Sequence, residues 1–210
     1  MQVNGKEKRY TYLALGDSYT IGESVAEKYR WPVQLVNRLN KAGRGFKIEN
    51  PILIAETGWT TQELRRAVAE EKPAQDYDFV SLLIGVNNQY RGYPFEEYSE
   101  EFRSLLDLTI AHAGGNSNKV IVLSIPDYGF TPFGKPKQVT ITKDIDRYNA
   151  SNREISRKYG VKYYDITPIS RHGLEQTDLV ASDKLHPSAK QYALWVEEIL
   201  NDREFLQLFE

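Results

Sequence analysis

No cysteine occurs anywhere in the 210 residues. That absence excludes disulfides, thiolate zinc sites, iron–sulfur clusters and a cysteine nucleophile together, and it is compatible with either redox compartment. Histidine is scarce as well. Its three copies are scattered without a His-x-x-x-His pair, so no metal site is expected, and any imidazole base must be His112, His172 or His186. An excess of charge of one sign is also lacking: 27 Lys and Arg face 29 Asp and Glu, for a formal net charge of −2. The basic residues form no stripe, so no nucleic-acid partner is expected. Long hydrophobic runs are missing too. The longest, over residues 80–86 and 120–126, are far too short to span a bilayer, so no transmembrane segment is expected. Residues 1–10 are polar and charged, unlike a signal peptide. They predict a cytoplasmic protein, or a periplasmic or secreted one had a leader been removed ahead of them.

What is present is an alternation of short apolar runs with helical patterns. Strands are predicted at residues 10–15, 46–54, 77–84, 120–125 and 161–166, the second interrupted by a turn or bulge at Asn50-Pro51. Helices are predicted around Trp31, Leu35, Val36 and Leu39, and over residues 60–71, stopping before Pro73. A further helix carries the spacing Phe95, Tyr98, Phe102, Leu105, Leu106, Ile110 and ends at Gly114-Gly115. Another spans residues 143–159. The last presents Tyr192, Trp195, Val196, Ile199 and Leu200 on one face, with Ser188 as its N-cap. Parallel strands need crossovers, so this order predicts one α/β domain over residues 1–210, a five-stranded parallel sheet with helices on both faces. Two connections read as long loops, residues 86–94 and 126–141.

In open α/β sheets the ligand crevice lies beyond the carboxyl ends of the strands, which directs attention to four segments. Gly16-Asp17-Ser18-Tyr19 follows the first strand, Glu56-Thr57-Gly58-Trp59 the second and Gly85-Val86-Asn87-Asn88 the third; Asp183-Lys184-Leu185-His186-Pro187 follows the fifth at a distance. A serine hydroxyl needs an adjacent base, and a carboxylate on the far ring nitrogen orients that base. Asp183 and His186 have the spacing of one helical turn, which places both on one side. An oxyanion needs donors waiting for it. Gly58 can bring its N–H close, Asn87 can offer a side-chain amide, and the Ser18 N–H lies near a helix start. Each residue also has an ordinary reading. Ser18 can be a helix cap, Gly58 a turn glycine, and Asn87 and Asn88 loop residues bonding their own backbone.

Together these blocks resemble the GDSL/SGNH hydrolases, whose four motifs occur in this order: Gly16-Asp17-Ser18, Gly58, Gly85-x-Asn87 and Asp183-x-x-His186. The resemblance implies a three-layer flavodoxin-like fold and esterase, lipase or related deacylase activity with no cofactor. It assigns Ser18 as nucleophile and oxyanion donor, Gly58 and Asn87 as the other donors, His186 as base and Asp183 as its orienter. The sequence departs from the family pattern twice, with Tyr19 for the usual Leu and Asn88 for the usual Asp. A small-molecule ester of a small or medium acyl group is the expected substrate, the alcohol being a sugar, a lysolipid or another. Tyr90, Tyr128 and Phe130, from the two long loops, are candidates to contact it. Acyl transfer or thioester cleavage by the same residues remains an alternative, as does a non-catalytic binding domain on the same fold.

Overall fold

The computed structural model describes residues 7–43 and 45–209; most of the polar opening segment therefore lies outside the described residues. Five parallel strands form the main sheet: β2 (Tyr12–Gly16), β4 (Ile52–Ala55), β5 (Phe79–Leu83), β6 (Val120–Leu123) and β7 (Lys162–Tyr164), in spatial order β4-β2-β5-β6-β7. Numbered among themselves along the chain, these strands lie 2-1-3-4-5, the flavodoxin-like order, whose switch point falls between β2 and β5. The two central runs, YLALG and FVSLL, are buried at every position, as strands covered on both faces must be.

Two predicted strands prove to be double. The run 10–15 breaks at Thr11, giving β1 (Lys8–Tyr10) and β2. Thr11 and Asp78 explain the break: the Thr11 N–H and hydroxyl both donate to Asp78 Oδ2, at 2.9 and 3.0 Å. The run 46–54 splits around Asn50-Pro51 into β3 (Phe46–Ile48) and β4, and β3 pairs with β1 as a separate parallel ribbon.

Helices α2 (Trp31–Lys41) and α8 (Ala189–Leu200) pack together on one face of the sheet, and α8 also meets the one-turn helix α7 (Thr167–Ser170). On the other, α5 (Phe95–His112) packs against both α3 (Thr61–Glu71) and α6 (Gln138–Lys158). Leu35 and Leu39 of α2 meet Tyr192, Trp195 and Ile199 of α8 in one continuous apolar cluster that also takes in Trp31. Full burial of such side chains is worth ~1.5–3 kcal/mol each. Ser188 caps α8 as expected, its hydroxyl accepting from the Gln191 N–H. α3 opens with a capping box between Thr60 and Glu63. α6 starts five residues earlier than the sequence pattern suggests, inside the segment read as loop. No helix among the described residues is long and apolar enough to cross a membrane.

Candidate active site

The first strand-to-helix turn sets the frame. Asp17 caps the one-turn helix α1 (Ser18–Ile21), its Oδ1 accepting from the Tyr19 N–H at 3.0 Å. Ser18 therefore begins a helix at the sheet's switch point, where backbone N–H groups have no partner within the helix. The Ser18 hydroxyl makes no hydrogen bond to any described residue. Ser18 lines a cavity of about 190 Å³ together with Gly58, Asn87 and His186. Four segments far apart in sequence thus open on one space.

His186 and Asp183 come from a turn rather than the helix-like chain expected from their spacing. Lys184 sits between them at φ +66°, and the turn is closed by the Ala181 N–H bonding to the His186 carbonyl at 2.8 Å. Asp183 Oδ2 lies 2.6 Å from His186 Nδ1, while Oδ1 accepts from the Leu185 and His186 N–H groups at 2.9 and 3.0 Å. Burial raises the Asp183 pKa, but hydrogen bonds, led by the Ser24 hydroxyl, outweigh it and hold the group at about 2. Tyr19 packs edge-on against the imidazole, ring centroids 5.8 Å apart. The Tyr19 departure therefore contributes a wall that holds the His186 ring.

Gly58 occupies φ +88°, which favours glycine. Its carbonyl is held by Arg91 Nη2 at 2.6 Å, and Arg91 Nη1 is fixed in turn by Glu63 at 3.3 Å. Gly85 is required more strictly: at φ +128°, an added Cβ would stand 2.4 Å from the Tyr98 hydroxyl. It turns the chain into the short helix α4 (Val86–Tyr90) within the first predicted long loop. The Asn87 amide donates one hydrogen to the Trp59 carbonyl at 2.8 Å, leaving the second for a ligand oxygen. Asn88 is fully buried and structural: it accepts from the Thr61 N–H at 3.1 Å and donates to the Thr61 hydroxyl at 2.8 Å, and that hydroxyl donates to Glu101. An amide at position 88 suits this chain of donors.

Tyr90 and Tyr128 line the cavity. Phe130 does not: its carbonyl lies against Gly173, because the chain turns there and presents Phe133 to the cavity instead. Phe133 is anchored by its N–H to the Lys184 carbonyl at 3.1 Å, tying this loop to the His186 turn. Tyr90, Tyr128 and Phe133 also line a second cavity of about 430 Å³, so the three rings stand as a wall between two chambers. The loop behind the wall hangs on buried Asp127, which takes the Gly129 N–H, the Thr142 hydroxyl and Arg171 Nε at 2.9, 2.8 and 3.1 Å. Of the other histidines, His112 is buried with Nδ1 2.7 Å from the Ala74 carbonyl, and His172 is exposed outside the cavity.

Ser24 and Arg91 are the residues sequence reasoning missed in these roles. Arg91 carried a charge within a candidate loop, which is a weak signal; Ser24 carried none. Asp17 has a separate property: burial pushes its carboxyl up to about 7 despite the Tyr19 N–H, and its Oδ2 has no hydrogen-bond partner among the described residues.

The family model of the GDSL-like lipase/acylhydrolase family matches residues 14–194. The chain belongs to this family. It is thereby an esterase- or lipase-like hydrolase, on the flavodoxin-like sheet described above. No curated protein matches it by sequence. Among solved structures, a lipolytic G-D-S-L family protein from Veillonella parvula is 16% identical with a TM-score of 0.68, the match covering 92% of this chain and 97% of that one. An acetylxylan esterase from Geobacillus stearothermophilus is 23% identical with a TM-score of 0.67, covering 98% and 96%. A lipase/acylhydrolase from Enterococcus faecalis is 22% identical with a TM-score of 0.65, covering 94% and 95%. Likeness at these identities is likeness of fold.

Proposed function

We propose that the chain is a single catalytic domain that hydrolyses carboxylic esters of short acyl groups through a covalent acyl-enzyme on Ser18. The observation that carries this reading is the shared cavity, on which the Ser18 hydroxyl, the Asp183-backed His186 ring, Gly58 and Asn87 all open. Ser18 Oγ attacks the ester carbonyl while His186 takes its proton, and Asp183 orients the ring and stabilises the imidazolium. The carbonyl oxygen becomes an oxyanion that accepts from the Ser18 and Gly58 N–H groups and the free hydrogen of Asn87. Collapse breaks the C–O bond, and His186 returns the proton to the leaving alcohol. Water then attacks the acyl carbon while giving a proton to His186; collapse breaks the bond to Ser18 Oγ, which takes that proton back as the acid leaves. The hydrogen bond between Ser18 and His186 is one that such sites often form only when substrate binds.

Cavity size supports the short acyl group. About 190 Å³, walled by Val86, Tyr90, Tyr128, Phe133 and Leu185, falls below the roughly 300–1,000 Å³ of sites for drug-sized ligands. An acetyl or butyryl group fits such a space, and the acetylxylan esterase among the structural neighbours makes acetylated sugars a natural choice of alcohol. The test pairs a fluorophosphonate probe with p-nitrophenyl esters graded by acyl length, an acetylated sugar and a thioester. Stoichiometric labelling lost in Ser18→Ala, with turnover greatest on short esters, is expected. Absent labelling would instead favour a binding domain. Preferential turnover of the thioester, or acyl transfer to a sugar outrunning hydrolysis, would reassign the reaction.

A further inference from the structure

Between α1 and α2 the chain makes a tight loop, Gly22-Glu23-Ser24, that touches three of the four segments around the cavity. It hangs from Ser18 itself, whose carbonyl accepts from the Gly22 and Glu23 N–H groups, both at 3.0 Å. The Glu23 carboxylate accepts from the Thr57 hydroxyl, next to Gly58. Ser24 Oγ reaches 159 positions along the chain to Asp183 Oδ2, at 2.7 Å. This is the same oxygen that faces His186 Nδ1. Ser24 is held at φ +64°, a region that side-chain-bearing residues enter only at a cost. A glycine there would remove that strain. What serine adds over glycine is the hydroxyl.

We propose that Ser24 is a positioning residue of the hydrolase site: its hydroxyl locks the Asp183 carboxylate in the rotamer that serves His186 and links that carboxylate to the helix carrying Ser18. The inference rests on the acyl-enzyme reading given above. With Ser24 and the two backbone N–H groups in place, Asp183 has one donor besides His186 on Oδ2 and two on Oδ1. The carboxylate can neither rotate nor swap oxygens without breaking several bonds at once. The Ser24 bond also spreads negative charge away from Oδ2, moderating its pull on the imidazolium.

Two variants test this, Ser24→Gly and Ser24→Ala. Both remove the hydroxyl, but only glycine relieves the positive φ. Loss of one charge-assisted hydrogen bond from the triad lowers kcat about tenfold, equally in both variants and with KM little changed. The kcat/KM–pH profile also moves in both, because the carboxylate facing His186 has lost the same hydrogen-bond donor in each. The other ionisable groups around the triad, Asp17, Tyr19, Glu23, Lys184 and Tyr192, are the same in both variants. Thermal stability alone separates them, with Ser24→Gly melting above Ser24→Ala. Full activity and an unmoved pH profile in Ser24→Gly would overturn the proposal, since the loop's shape alone would then suffice. That result, obtained beside a wild type that labels at Ser18 and hydrolyses short esters, leaves the esterase reading intact. A wild type that does neither overturns both.

Discussion

The Arg91 guanidinium grips the Gly58 carbonyl from one side while Glu63 grips the guanidinium from the other. The Gly58 carbonyl shares its rigid peptide plane with the Trp59 N–H, which donates to the Glu56 carbonyl, so Arg91 and that bond together brace the turn on which Gly58 lies. Arg91→Ala is expected to lower kcat on short esters by on the order of tenfold, the effect of one lost charge-assisted bond, with KM nearly unchanged. The steady-state split between kcat and KM checks this. An effect confined to KM would make Arg91 a substrate contact instead.

Asn87 is tied to Trp59 by one amide hydrogen, so its second is already oriented when substrate binds. Preorganised donors of this kind are worth about 10²–10³ in kcat. Asn87→Ala is expected to lose that much on the best short ester, while fluorophosphonate labelling slows in parallel. Retention of wild-type kcat would remove Asn87 from the oxyanion site.

Phe133 is half exposed, at 50%, so shortening it costs little stability. Its ring is part of the wall between the 190 and 430 Å³ chambers. Phe133→Ala is expected to join them and shift the preferred acyl chain to greater length. The readout is the ratio of kcat/KM for octanoyl to that for acetyl p-nitrophenyl ester, which should rise. An unchanged ratio means that the acyl group lies elsewhere.

Asp17 gives a stability prediction whose sign follows from proton linkage. Its carboxyl is raised in the native state, to about 7 from 3.8. The folded chain therefore binds that proton more tightly than the unfolded chain between about pH 4 and 7, and its stability falls as pH rises through that window. Asn caps a helix as well as Asp does and carries no charge. The Tm of Asp17→Asn minus that of wild type should grow from pH 4 to pH 8. A constant difference would show that burial of the charge is not the cause.

Much of this was legible because chemistry-bearing residues follow strands. Ser18, Gly58 and Asn87 come within a few residues of β2, β4 and β5, and Asp183 and His186 are near neighbours in sequence. What escaped depended on contacts between distant positions. Thr11, itself β-branched, reads as part of a continuous strand until Asp78, 67 residues on, takes its N–H. Val139, Thr140, Ile141 and Thr142 are poor helix formers, yet they lie in α6, where Ile141 is buried and Thr142 bonds Asp127. Phe130 and Phe133 look alike as loop aromatics, and only the turn between them decides which faces the cavity. Ser24 is an unremarkable serine until folding brings Asp183 to it.

The Asp127 anchor has a consequence for how such a protein changes over time. Because it clasps the loop from behind, through Gly129, Thr142 and Arg171, it holds residues 128–133 through groups that do not line the cavity. Rings on the tip of that loop can be exchanged by mutation while Ser18, His186 and Asn87 keep their places. New substrates then come within reach of an old reaction by redecorating one strap of chain.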